Sequence, residues 1–295
     1  MKKHKLAVLA GLVTTLVLTG AAAFPAQAAK PEPISPLTYS ALGDSFAAGF
    51  GAGRVNALGQ SAKAYPVVLA GRHNVNFLAV GSGGTTATVA ADQIPFVPHT
   101  TKQVTLTVGG NDLGFVPKAT ACLTTDPAAC PFSAADRVKL RTLTKSLSSN
   151  IAAIHAKAPA ATIYVTGYPL LFQAAQSPHD RGLCVAGDPT TGSLVISELQ
   201  ADAMDADAVA LNSAIMSAIA GPTHRYAKYV DVTAAFTGHG LCGTYASHLP
   251  NPHTYINPVH VTATGVVDVT TGPLHPTAAG QRAYAASIRA KGFKG

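Results

Sequence analysis

Leu37-Thr38-Tyr39-Ser40-Ala41-Leu42-Gly43-Asp44-Ser45-Phe46-Ala47-Ala48-Gly49-Phe50-Gly51-Ala52-Gly53 runs through apolar and β-branched residues, then breaks into glycine, a carboxylate and a hydroxyl. A short apolar run stopped by turn residues reads as a buried strand, here over Leu37–Leu42. Four more runs share the form, at Val75–Val80, Val104–Val108, Thr162–Thr166 and Tyr229–Val232. Helical spacing lies between them. Leu140, Leu143, Leu147, Ile151 and Ile154 step by three and four behind Ser133, an N-cap with Asp136 three residues on. A second helix is expected from about Ser197 to Ala220, and a third from Thr277 to near Gly292, after Arg289 and Lys291. Parallel strands need crossovers that helices supply, so the alternation predicts a three-layer α/β/α sandwich with a central parallel sheet. A site is expected at the loops that follow the strands' C-terminal ends.

The 295 residues are 47% hydrophobic and 12% charged, which excludes a disordered chain and fits one large domain over 37–295. The formal charge of +7 would suggest an acidic partner, but three of those charges stand at the N-terminus. There Lys2, Lys3 and Lys5 precede an apolar run that ends in Ala26-Gln27-Ala28, the grammar of an export signal over residues 1–29. Leu6–Phe24 is nearly long enough to span a bilayer, yet the Ala-x-Ala end and the lack of a basic stop-transfer flank favour cleavage. Cleavage would leave +4 over 266 residues, so no nucleic-acid partner is expected. No later apolar stretch approaches the ~18 residues a membrane helix needs. The expectation is a secreted, extracellular monomer without stable membrane insertion, with a proline-rich lead-in over 30–36.

Cys122, Cys130, Cys184 and Cys242 are an even set in a chain expected to reach an oxidising space, so two disulfides are anticipated. Four cysteines allow three connectivities; the short Cys122–Cys130 spacing favours a local loop, leaving Cys184 with Cys242. Neither Cys-x-x-Cys nor His-Glu-x-x-His occurs, and no metal or cofactor is expected. Asp202, Asp205 and Asp207 read as a solvated helix face. Gly/Pro/His/Thr-rich residues 176–195 and 235–272 read as long surface loops.

The first strand presents Ser45 at the sheet edge, where a hydroxyl could act as nucleophile or merely cap a turn. Phosphate-cradling and dinucleotide glycine patterns are missing here, as is the Gly-x-Ser-x-Gly elbow. The second strand ends in Gly81-Ser82-Gly83-Gly84-Thr85-Thr86 and the third in Gly109-Gly110-Asn111-Asp112, each consistent with turn chemistry alone. Among eleven histidines, His275 in Pro273-Leu274-His275-Pro276-Thr277 stands just before a helix.

Joint occurrence in order decides between these readings. Gly43-Asp44-Ser45-Phe46, Gly83 within Ser-Gly-Gly-Thr-Thr, Gly110-Asn111-Asp112 and His275-Pro276 resemble the four blocks of the GDSL or SGNH hydrolases. Ala64-Tyr65-Pro66 and Phe236-Thr237-Gly238-His239-Gly240-Leu241-Cys242 resemble the secreted actinobacterial lipase and esterase branch. The resemblance implies a flavodoxin-like sandwich and ester hydrolysis through an acyl-enzyme. Ser45 would be the nucleophile and His275 its base, with an oxyanion hole from the backbone N–H groups of Ser45 and Gly83 and the Asn111 side-chain amide.

Two departures stand out. Many members carry an aspartate three residues before the histidine; here that residue is Gly272, so its main-chain carbonyl is the first candidate to orient His275, with Asp268 as alternative. The branch often has a further disulfide where Leu58 and Val80 or Gly81 stand, which predicts a more mobile side of the pocket. The substrate implied is a small-molecule or lipid ester, with phospholipid and acetylated or feruloylated polysaccharide as alternatives. Phe50, Leu113, Phe115, Tyr168, Leu171 and Phe172 are candidates for an acyl groove. A secreted binding module that keeps the fold is the non-enzymatic alternative, disfavoured because all four block residues are present.

Overall fold

A computed structural model describes residues 38–71, 74–125, 130–173, 183–187, 194–220, 225–242, 251–260 and 272–294. The expected export signal, the lead-in over 30–36 and Asp268 lie outside them. In chain order the main elements are β1 (Tyr39–Gly43), α1 (Ser45–Ala48), α2 (Tyr65–Ala70), β2 (Asn76–Phe77), α3 (Thr86–Thr88), β3 (Gln103–Thr107), α4 (Gly110–Leu113), α5 (Phe115–Thr120), α6 (Ala134–Lys157), β4 (Thr162–Thr166), β5 (Leu183–Val185), β6 (Val195–Ser197), α7 (Glu198–Ile219), β7 (Ala227–Val230) and α8 (Ala278–Ala290).

Five strands form a parallel sheet in the order β2-β1-β3-β4-β7. The chain reverses its direction of progress at β1, with β2 on one side and β3 on the other, and in open α/β sheets such a switch point is where a crevice opens. Strand residues Ala41, Leu42, Val104, Leu106, Ile163 and Val165 are fully buried, as expected where helices cover both faces. Alternate residues on β3 take opposite faces. Thr107 meets Tyr65 of α2 across a 2.8 Å hydrogen bond, and α2 packs along α8; the other face carries the α6/α7 pair.

The helix ends follow local capping chemistry. Ser133 and Asp136 form a reciprocal capping box at the start of α6, as do Ser197 and Gln200 at α7, while Thr277 caps α8. Each cap stabilises its helix by about 1 kcal/mol. The stripe Leu140, Leu143, Leu147, Ile151 and Ile154 is buried as its spacing predicts.

Strand limits differ more. Asn76 and Phe77 of the second run form the regular ladder with β1, while Leu78, Ala79 and Val80 donate to β1 carbonyls beyond it, and β7 begins at Ala227, two residues before the run that marked it, because pairing with β4 starts at Ile163. The loop expected over 176–195 contains a two-stranded antiparallel ladder, β5 with β6. Disulfides join Cys122 to Cys130 and Cys184 to Cys242, the pairing expected from spacing; the second links β5 to the segment after β7.

The acidic trio is not a solvated face. Asp207 is fully buried and ion-paired to Lys118 of α5 at 2.7 Å, and Lys118 also reaches Asp136 of α6 at 3.0 Å. Asp205 accepts from the backbone N–H groups of Phe172 and Gln173 at 3.0 and 2.6 Å. The sequence spacing of these carboxylates carries no sign of partners that arrive from α5 and from the loop after β4.

Candidate active site

The turn that carries Ser45 is shaped by close backbone approach. Gly43 has φ 135°, and a Cβ there would stand 2.1 Å from the Thr107 carbonyl oxygen, so only glycine fits. Gln93, at the end of a short π-helical turn (Val89–Gln93), clamps the same residue: it accepts from Gly43 N–H at 2.7 Å and donates to Gly43 C=O at 2.9 Å. The next residue, Asp44, caps α1 by accepting from Phe46 N–H at 2.9 Å. Ser45 therefore occupies the first helical position, where the backbone N–H has no intrahelical acceptor.

The Ser45 hydroxyl lies 2.7 Å from His275 Nε2. Nδ1 of that ring lies 2.8 Å from the Pro273 carbonyl. A carbonyl only accepts, so Nδ1 carries the proton and Nε2 offers its lone pair to the serine. This corrects the expected orienting group. The Gly272 carbonyl instead accepts from the His275 backbone N–H at 3.2 Å, and the left-handed turn at Leu274 (φ 61°) lets the carbonyl of Pro273, the residue before it, meet Nδ1. Burial drives His275 down to about 4 from its ordinary 6.5, against the opposing pull of the Pro273 carbonyl. The Phe46 and Phe50 rings, centred 4.9 and 5.3 Å away, flank the imidazole.

Gly272 has a different part. A Cβ on it would lie 2.5 Å from Gly51 Cα, so the His275 loop and the loop after Ser45 touch backbone to backbone. Asn257 straps the same two segments, donating to Gly51 C=O and to His275 C=O at 3.0 Å each.

Gly83 and Asn111 reach the same place from β2 and β3. Gly83 sits at φ 68° with open space where its side chain would be, and it lines a cleft with Ser45, Asn111 and His275. Asn111 Nδ2 spends one hydrogen on the Gly84 carbonyl at 2.9 Å, which fixes the amide and leaves its second hydrogen for the cleft. Asp112 ties these turns by accepting from Thr86 N–H at 3.1 Å and Thr86 Oγ1 at 2.5 Å. Where the missing disulfide predicted mobility, Gly81 N–H donates to the Leu58 carbonyl at 2.8 Å, and the Gly59 and Gly81 backbones pack without room for a Cβ.

Two clefts meet at Ser45, Asn111 and His275. The smaller, about 450 Å³, is walled by Phe46, Phe115, Val116, Tyr168, Leu171 and Leu211; the larger, about 1020 Å³, runs past Phe50, Gly83 and Leu274. Of the expected groove residues, Phe115, Tyr168 and Leu171 line the smaller cleft and Phe50 the larger, whereas Leu113 and Phe172 are fully buried core. Sequence reasoning missed Gln93, Asn257 and Gln281, which hold the site through hydrogen bonds between their side-chain amides and backbone. Gln281, for example, accepts from Tyr65 N–H and donates to Phe46 C=O. Single amides in ordinary loop and helix contexts leave no pattern to find.

The sequence pattern of the GDSL-like Lipase/Acylhydrolase family matches residues 41–283. A lipase of Streptomyces rimosus is 34% identical over 283 residues, covering 92% of this chain and 93% of that protein. Lipase 1 of Streptomyces coelicolor is 30% identical, covering 92% and 94%. Among solved structures, phospholipase A1 from Streptomyces albidoflavus is similar with TM-score 0.66 at 32% identity, over 86% of this chain and 98% of that one. The extracellular lipase of Streptomyces rimosus is similar with TM-score 0.66 at 30% identity, over 86% and 99%.

Proposed function

This chain belongs to the GDSL-like lipase/acylhydrolase family and is a carboxylic-ester hydrolase, and from that premise we propose that it is secreted and works through an acyl-enzyme on Ser45 with His275 as base. The 2.7 Å approach of the Ser45 hydroxyl to a neutral, carbonyl-oriented imidazole carries the reading. In the proposed reaction Ser45 Oγ bonds to the ester carbonyl carbon as its proton passes to His275 Nε2. The carbonyl oxygen becomes an oxyanion facing the Ser45 and Gly83 N–H groups and the free hydrogen of the Asn111 amide. Collapse breaks the carbon–oxygen bond to the alcohol, which leaves with the proton from His275. Water then repeats the sequence, releasing the carboxylic acid and restoring Ser45. Export is supported by the signal-like N-terminus, the two disulfides and the likeness to an extracellular lipase.

The acyl chain is assigned to the smaller cleft, whose walls are apolar. The alcohol portion is left to the larger one. Phospholipid is the second reading for the substrate, favoured by the likeness to a phospholipase A1. The test is purified protein assayed on p-nitrophenyl esters from C2 to C16, a phospholipid and acetylated xylan, together with fluorophosphonate labelling. Wild type should hydrolyse the esters and take the label; Ser45→Ala should take none, and both it and His275→Ala should lose nearly all turnover with the fold intact. Comparable turnover in either variant would remove the dyad.

A further inference from the structure

Asp44 and Tyr168 are not used by the reaction as proposed, yet both are buried at the point where the nucleophile turn meets the Asn111 turn. One Asp44 oxygen accepts from Phe46 N–H at 2.9 Å, the bond that caps α1. The other accepts from the Tyr168 hydroxyl at 2.5 Å. The Tyr168 oxygen in turn accepts from Gly110 N–H at 3.1 Å, one residue before Asn111. An unbroken chain of hydrogen bonds thus runs from the helix that begins at Ser45 to the turn that carries the side-chain oxyanion donor.

Tyr168 itself is held on every side. Asn212 of α7 accepts from its backbone N–H at 2.7 Å and donates to its carbonyl at 2.8 Å, and the Phe46 ring meets it edge-on at 5.0 Å. A hydroxyl fixed this way, facing one acceptor and one donor, behaves as a spacer of set length. Burial pushes Asp44 up to about 7, and the bonds from Tyr168 and from the α1 backbone are what favour its carboxylate there.

We propose that Tyr168 is a positioning residue: its hydroxyl, through Asp44 on one side and Gly110 on the other, sets the separation between the Ser45 nucleophile and the Asn111 amide. This rests on the acyl-enzyme reading above. The geometry it controls is the distance across which a substrate carbonyl must fit between nucleophile and donor, so its effect belongs to the transition state more than to substrate binding. Its ring also walls the acyl cleft, but the phenyl ring alone would serve that purpose.

The test compares Tyr168→Phe, Asn111→Ala and the double variant, with kcat and KM on a medium-chain ester and a melting temperature for each. Tyr168→Phe keeps the cleft wall and is expected to lose about tenfold in kcat while KM stays within about twofold. Asn111→Ala should lose about 10²–10³ in kcat. If the hydroxyl acts by placing the amide, the double variant should fall short of the product of the two losses by about tenfold. Losses that simply multiply, a raised KM with kcat unchanged, or a lowered melting temperature with kinetics intact would each overturn the proposal. Should Tyr168→Phe fail to fold, Asp44→Asn tests the chain from its other end, and wild-type kcat in that variant would overturn it equally. Wild-type protein that neither turns over esters nor takes a fluorophosphonate would instead sink the acyl-enzyme reading, leaving the two failures distinct.

Discussion

His275 keeps its base neutral far into acid because burial opposes the imidazolium. On the proposed mechanism the base must be unprotonated, so the limb of kcat/KM that belongs to His275 is expected at about 4, the value for the buried ring, while a limb near 7 would belong to Asp44. A pH–rate profile on a short-chain ester, run on wild type and on Asp44→Asn, checks this; a limb centred near 6.5 that persists in Asp44→Asn would mean that the ring is open to water in the free enzyme. The same shift acts on stability with a definite sign. Between about 4 and 6.5 the unfolded chain binds the proton that the folded one refuses, so this contribution is complete above 6.5 and lost as pH falls through 4, about 3 kcal/mol in all. Asp44, raised from 3.8 to about 7, works in the opposite direction: its contribution is present below 3.8 and fades as pH rises through 7. The two neighbours offset one another over the acid range.

Elements differ in how much of them was legible beforehand. The caps Ser133 and Thr277 were readable because capping is settled within four residues of chain, whereas Ser197 was placed only as a helix start. The β5/β6 ladder was not, because nine residues of Gly- and Thr-rich sequence without alternation separate its strands, and its disulfide partner lies beyond α7 and β7. For the site, the residues that meet at the clefts, Ser45, Gly83, Asn111 and His275, were named from motifs, while the carbonyl facing His275 Nδ1 was misplaced by one residue because a φ of 61° at Leu274 cannot be read from a leucine. Helix α7 also supplies a cleft wall that no motif marks, through Ala208 and Leu211. Ala208→Leu would fill part of the smaller cleft. Relative kcat/KM for C12 over C4 esters is expected to fall about tenfold, since each excluded methylene weighs on specificity. An unchanged profile would move the acyl chain to the larger cleft.

Across the whole molecule, the two disulfides close loops of unlike size. Cys122–Cys130 spans 8 residues and Cys184–Cys242 spans 58. On loop-closure entropy the first contributes about 2.5 kcal/mol and the second about 4 kcal/mol. Paired serine replacements should therefore lower the melting temperature more at Cys184/Cys242 than at Cys122/Cys130. The reverse order, read by thermal or urea unfolding, would show that native contacts around the small loop dominate.

Ser45 and His275 stand 230 residues apart along the chain. No local stretch can assemble them: β1, the glycine and asparagine turns, the Asn257 strap and the loop before α8 must all be in register before the hydroxyl meets its acceptor. Contacts of such range form late, after the entropy of closing the intervening loops has been met. On the proposed mechanism, catalytic competence is thus a property of the finished fold, and a covalent serine titrant applied during refolding would count completed molecules one by one, something that no spectroscopic average over helices and strands provides.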